Sequence, residues 1–213
     1  MLTQRWTVAV VGMALALGAA HAHGAIITWE FAGEVTAVND SQGTLGGRVQ
    51  VGDPFSGTYT FDSTMPDDLP EDLRYGVYDS GASGVAAAVG GLTIVTSGTN
   101  SGITIGDNYG YVTQKDKLSI VAGLFESDGV RILEFGITVL DETGSVFSSD
   151  VLPLAPPSLA SFSSRFFSIQ GAAVNPPGTG DFSFGGTISS LTPEPSSLAL
   201  LALAASRMIG RRA

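Results

Sequence analysis

Leu118-Ser119-Ile120-Val121-Ala122-Gly123-Leu124-Phe125, then Glu126-Ser127-Asp128-Gly129, then Val130-Arg131-Ile132-Leu133-Glu134-Phe135-Gly136-Ile137-Thr138-Val139-Leu140, make up two apolar runs joined by four residues that end in Asp-Gly. Both runs are rich in β-branched residues and read as strands of a sandwich core, or as strands covered on both faces. Asp-Gly tolerates the positive φ of a tight hairpin, so the stretch predicts strand, turn, strand. Working outward, apolar and polar residues alternate in Ile27-Thr28-Trp29-Glu30-Phe31, in Thr58-Tyr59-Thr60-Phe61-Asp62 and in Asp181-Phe182-Ser183-Phe184, the pattern of half-buried strands. Glycines at 43, 46, 47, 52, 57, 81, 84, 90, 91, 98, 102 and 106 punctuate short strands, and no stretch of the body sustains a helical period. The expectation is an all-β fold: an antiparallel, jelly-roll-like β-sandwich of eight to twelve strands over residues 23–191. With no cysteine, that single domain of ordinary size rests on core burial and not on disulfides. Two segments depart from the strand rhythm: the acidic loop Met65-Pro66-Asp67-Asp68-Leu69-Pro70-Glu71-Asp72, and the proline crossover Leu152-Pro153-Leu154-Ala155-Pro156-Pro157.

The two ends have a different character. Arg5, the apolar run Trp6 to Ala20 and the small residues of Ala20-His21-Ala22 make residues 1–22 a secretory signal peptide, with signal peptidase as its reader and the mature chain starting near His23. At the other end, residues 192–213 carry Pro193-Glu194-Pro195, the apolar run Leu198 to Ala205, and Arg207, Arg211 and Arg212. Two prolines lock φ and remove donors, so the chain around Glu194 stays extended. The apolar run is short, a small hydrophobic helix that Ser206 and Arg207 cut off, and the basic tail places the C-terminus on the cytoplasmic side. In this order the three parts resemble the PEP-CTERM sorting signal of Gram-negative bacteria. The resemblance implies recognition by the membrane sorting enzyme exosortase, export through the inner membrane, transient membrane association, and delivery to the cell surface or an exopolysaccharide matrix. Within the body, Gly46-Gly47-Arg48-Val49-Gln50-Val51-Gly52-Asp53-Pro54-Phe55-Ser56-Gly57-Thr58-Tyr59-Thr60-Phe61-Asp62 resembles a recurrent run in secreted proteins that bear the same signal and have no established activity.

Charge and composition exclude several functions. The chain carries a formal −10, yet four of its ten basic residues lie in the two terminal segments, leaving six basic residues against nineteen acidic ones between those segments. Such a surface repels phosphate backbones, so nucleic acid is not an expected partner. The only histidines, His21 and His23, sit at the signal-cleavage point, and with cysteine absent no Ser/His/Asp, Cys/His or zinc site can be assembled.

What remains is carboxylates and aromatics, and no catalytic residue is assigned. A glycoside hydrolase needs two carboxylates at a set separation, for which Glu30, Glu34, Glu126 and Glu134 are the candidates. Asp62, Asp67, Asp68, Glu71 and Asp72, with Asp79 nearby, could offer calcium the oxygens it takes in irregular geometry, although no EF-hand spacing is present. Tyr75 and Tyr78, beside Arg74, are expected at the surface as contacts for a sugar, whereas Trp29 alternates with Ile27 and Phe31 and is expected in the core. The expected role is a structural or binding component and not an enzyme. A carbohydrate-binding or calcium-dependent adhesion module is the alternative and a glycoside hydrolase the third reading.

Overall fold

The computed structural model describes residues 24–96, 101–110, 114–174 and 180–194; apart from one 3-10 turn at Leu159–Ser161, the regular elements among them are β-strands. The expected signal peptide, and Pro195, Arg207, Arg211 and Arg212 of the sorting signal, lie outside the described residues. The strands are β1 (Ile26–Asn39), β2 (Pro54–Asp62), β3 (Tyr75–Tyr78), β4 (Ser83–Val89), β5 (Leu92–Val95), β6 (Ser101–Tyr109), β7 (Lys115–Ala122), β8 (Phe125–Ser127), β9 (Val130–Asp141), β10 (Ser164–Ala173) and β11 (Phe182–Pro193).

All of them pair antiparallel in one sheet of order β3-β6-β7-β9-β10-β11-β1-β2-β4-β5, with β8 on β9. The all-β, antiparallel expectation is met. The two layers are halves of a single curled sheet, and the chain mostly steps to the next strand in space. The order is therefore an up-and-down meander, from which only β3 departs, and lacks the Greek-key crossings of a jelly roll. The rings report the curl directly: Phe55 of β2 and Phe167 of β10 lie three places apart in the sheet, yet stack at 3.9 Å with planes 15° apart.

Period-two patterning explains what lies inside. Ile27, Trp29 and Phe31 point inward from β1 and Phe55, Tyr59 and Phe61 from β2, all buried, with Trp29 edge-on to Phe61 at 5.1 Å. Burying residues of this size contributes roughly 1.5–3 kcal/mol each, so the inner face supplies the stability that disulfides do not. Two polar atoms are enclosed with it. The Trp29 Nε1 and Tyr59 Oη reach no partner at hydrogen-bonding geometry, and burial pushes the Tyr59 phenol far up, with Ser83 opposing it only in part. The Asp128-Gly129 turn is present, with φ of 52° and 78°, but it joins β9 to the short β8. The expected strand Leu118 to Phe125 breaks after Ala122, where Leu124 takes a φ of 57°, and Glu126 and Ser127 belong to β8 and not to the turn. One tight approach lies where β1 meets β11: a Cβ on Gly186 would run into the Glu34 carbonyl, so no larger residue fits there without parting the strands.

A sheet that does not close has two edges to protect. At β5 the ladder is continued by side chains from the β8–β9 turn. Thr93 N donates to Asp128 Oδ2 at 3.3 Å, Val95 N donates to Ser127 Oγ at 3.3 Å, and Ser127 Oγ donates to Thr93 O at 2.9 Å. Arg48 holds that turn by donating from Nη1 to Asp128 O at 2.9 Å, and its guanidinium lies 3.3 Å from the Asp128 carboxylate. Beside this seam Ser83 of β4 donates to Ser101 O of β6 at 2.6 Å, a buried link between the two halves of the sheet.

Candidate functional site

The other edge is where the acidic loop lies. Asp68 N donates to Val77 O at 2.8 Å, and Val77 N donates to Asp67 Oδ1 at 2.9 Å, so the loop occupies the outer side of β3 as a neighbouring strand would. Each aspartate there accepts from nearby donors of its own chain. Asp62 Oδ1 takes Thr64 N at 2.8 Å and Thr64 Oγ1 at 2.7 Å, Asp67 Oδ1 also takes Leu69 N at 2.9 Å, and Asp72 Oδ1 takes Arg74 N at 3.1 Å. Asp68 takes Ser80 Oγ at 2.6 Å and the amides of Asp79 and Ser80, both at 3.2 Å. These bonds to the charged form hold Asp62 and Asp68 below the usual carboxylate range, with the Thr64 and Ser80 hydroxyls the largest causes. Asp79 moves the opposite way, because hydrogen bonding to Asp68 favours its protonated form, and burial and the charge of Asp68 push it in the same direction.

The calcium candidates Asp62, Asp67, Asp68, Glu71 and Asp72 are thus spread along a turn-rich loop. Among the described residues no three acidic or histidine side chains come together as a metal site requires. Glu71 is exposed and, with Asp68, Leu69, Pro70, Asp72 and Arg74, rims an open depression.

A second set of carboxylates, which the sequence reading passed over, lies at the β7–β9 pairing. Asp116 and Asp141 stand opposite each other in register and are 0% and 4% exposed. Asp116 Oδ1 accepts from Asn108 N at 2.9 Å, while Oδ2 accepts from Val146 N and Phe147 N, each at 2.6 Å. Asp141 is ringed by donors of its own turn: Thr143 N at 3.0 Å, Ser145 N at 2.8 Å, and both hydroxyls. Backbone N–H bonds from Ser145 and Thr143, followed by the Thr143 hydroxyl, bring Asp141 down to about 2. Lys115 and Glu142, paired at 2.6 Å, strap the same corner from outside. The signal that could have found this site is small: an acid between two lysines at 115–117, and Asp-Glu-Thr-Gly-Ser at 141–145, an Asx-turn sequence.

The aromatic candidates separate. Trp29 is in the core as expected. Tyr78, expected at the surface, is instead 5% exposed. Its hydroxyl donates to Asp150 O at 2.9 Å and accepts from Leu152 N at 3.0 Å, which anchors the proline crossover, and burial followed by the charge of Asp67 pushes its pKa up. Tyr75 is half-exposed and stands 6.2 Å from the half-exposed Tyr109, rings tilted by 45°. The glutamates Glu30, Glu34, Glu126 and Glu134 are all exposed, and Glu126 pairs with Arg131 at 3.0 Å.

Pro193 and Glu194 are the sorting-signal residues within the described chain. Pro193 pairs with Trp29 as the last residue of β11, and Glu194 N donates to Thr28 O at 3.0 Å. Among the described residues no helix is long and apolar enough to cross a membrane; Leu198 to Ala205 lie outside them.

Fold and site together define an all-antiparallel β protein built from one curled sheet, whose aspartates largely serve its own backbone. Comparison with protein-family models, with curated proteins and with solved structures returns no match.

Proposed function

We propose that the chain is an exported protein, sorted by exosortase to the cell surface or exopolysaccharide matrix of a Gram-negative bacterium, where it acts as a structural or binding component and not as an enzyme. The observation that carries the reading is the order of parts from the end of the last strand onward: Pro193-Glu194-Pro195, an apolar run, then Arg207, Arg211 and Arg212. In support, the aspartates Asp62, Asp67, Asp68, Asp72, Asp116 and Asp141 accept hydrogen bonds from the protein's own chain, as suits a scaffold. The test is fractionation of tagged full-length protein in a host that makes exosortase. Deleting Pro193 to Ala213 diverts the protein from surface or matrix to periplasm or medium; an unchanged distribution refutes the reading.

Within the binding role, the half-exposed Tyr75 and Tyr109 rings favour a neutral sugar as ligand, since tilted aromatic faces stack on pyranose rings that do not register the negative charge. Tyr75→Ala with Tyr109→Ala then abolishes retention on an exopolysaccharide column, and retention equal to wild type removes the sugar reading.

A further inference from the structure

Pro193 and Glu194, the first two residues of the sorting tripeptide, do not hang clear of the domain. Leu191, Thr192 and Pro193 pair with Phe31, Glu30 and Trp29, and the Glu194 amide closes on Thr28 O. Because Glu194 and Thr28 make that bond, Pro193 stands at the alternate kind of position, where its nitrogen faces away from β1 and the missing donor costs nothing. The proline is therefore compatible with the last rung of the sheet. On its other side β11 is covered by β10 only from Phe182 to Thr187, so the segment from Ile188 onward has β1 as its one ladder partner.

From this register we infer that the fold withholds the start of its own sorting signal: residues 192–194 must leave β1 before a sorting enzyme can grip them. The inference rests on the sorting reading above and deepens it. A peptide-recognising cleft binds an extended segment through its backbone groups. The Thr192 and Glu194 backbones are already spent on Glu30 and Thr28. Recognition then follows the small population in which the strand end is detached, as proteolysis of native proteins follows local opening. The arrangement ties sorting to local fraying of β1–β11 and makes the rate of tail removal a property of the sheet as well as of the enzyme.

Two variants of the full-length protein move that population in opposite directions. A six-residue Gly-Ser insertion between Thr192 and Pro193 leaves β11 intact up to Thr192 and carries the tripeptide off the sheet. Glu30→Cys with Thr192→Cys, on exposed partners in a chain without other cysteines, staples the strand end to β1. With tail removal followed by mass in cells that make exosortase, the insertion speeds it about five-fold or more and the oxidised staple slows it by a similar factor, reversed by reductant. Equal rates for wild type, insertion and staple overturn the gating while leaving the sorting reading intact. No tail removal in any of the three, with circular dichroism showing all folded, overturns the sorting reading and the gating with it.

Discussion

The acidic loop and the Asp116–Asp141 corner use one chemistry in two surroundings. In both, carboxylate oxygens accept N–H groups that no strand neighbour reaches. Around β3 the aspartates are exposed or half-exposed, and water stands ready to replace any bond that is lost. At β7–β9 the acceptor is sealed, so the same loss leaves three half-buried amides facing the enclosed position that the carboxylate filled. The conspicuous acidic cluster is therefore the less consequential one, because the energetic weight of a carboxylate follows its enclosure and not its density along the chain.

Removing the sealed acceptor is the strongest way to break the comparison. Asp116→Ala strands the amides of Asn108, Val146 and Phe147, and is expected to cost about 3 kcal/mol or more, a fall in Tm of roughly 6–12 °C. Thermal unfolding of the variant checks it, and a loss no larger than that of Asp68→Ala would erase the distinction between the two regions.

Next in size is a pH effect at the same corner. Asp141 has its folded pKa depressed to about 2, so the stability it contributes is present above the unfolded value near 3.9 and fades as pH falls between them. Wild-type Tm should drop through that window, and Asp141→Asn should be less stable than wild type at pH 7 with the gap closing towards pH 2.

Smaller still are changes in the loop. Asp68→Asn with Asp72→Asn is expected to lower Tm by only about 1–3 °C. Millimolar calcium and magnesium at matched ionic strength are expected to shift Tm equally, since no three carboxylates converge in that loop. A calcium-specific rise that the double variant loses would instead make the loop a metal site.

The smallest effect has the opposite sign. Asp79 has a raised pKa because hydrogen bonding to Asp68, burial and the Asp68 charge favour its protonated form, so it favours the folded state when protonated and opposes it when ionised. Asp79→Asn should raise Tm at pH 7 by about 1 °C, and the gain should vanish as the pH falls through the folded pKa of Asp79 and wild type takes up its proton.

How far the sequence could be read depended on whether the signal was local. Period-two runs such as Ile27 to Phe31 and the Asp128-Gly129 turn made strands and hairpin legible, because side-chain alternation and turn geometry are properties of neighbours along the chain. Strand order was not, since the closure of β11 on β1 and the stacking of Phe55 on Phe167 join residues more than a hundred positions apart. Tyr78 was misplaced for a related reason. Its flanks, Val77 and Asp79, are ordinary for an edge strand, and the cover comes from Asp150 to Leu152, far along the chain. Asp116 was overlooked because an acid between lysines reads as solvent-facing until the turn carrying Val146 and Phe147 is seen to fold over it.

The body's aspartates work for the fold as backbone acceptors. Amide hydrogen exchange on the full-length protein measures it at single residues. Strong protection is expected at Val146 and Phe147, which lie outside any strand, and weaker but measurable protection at Val77 beside Asp67. Exchange of the Val146 and Phe147 amides at the rate of an unstructured chain would contradict it.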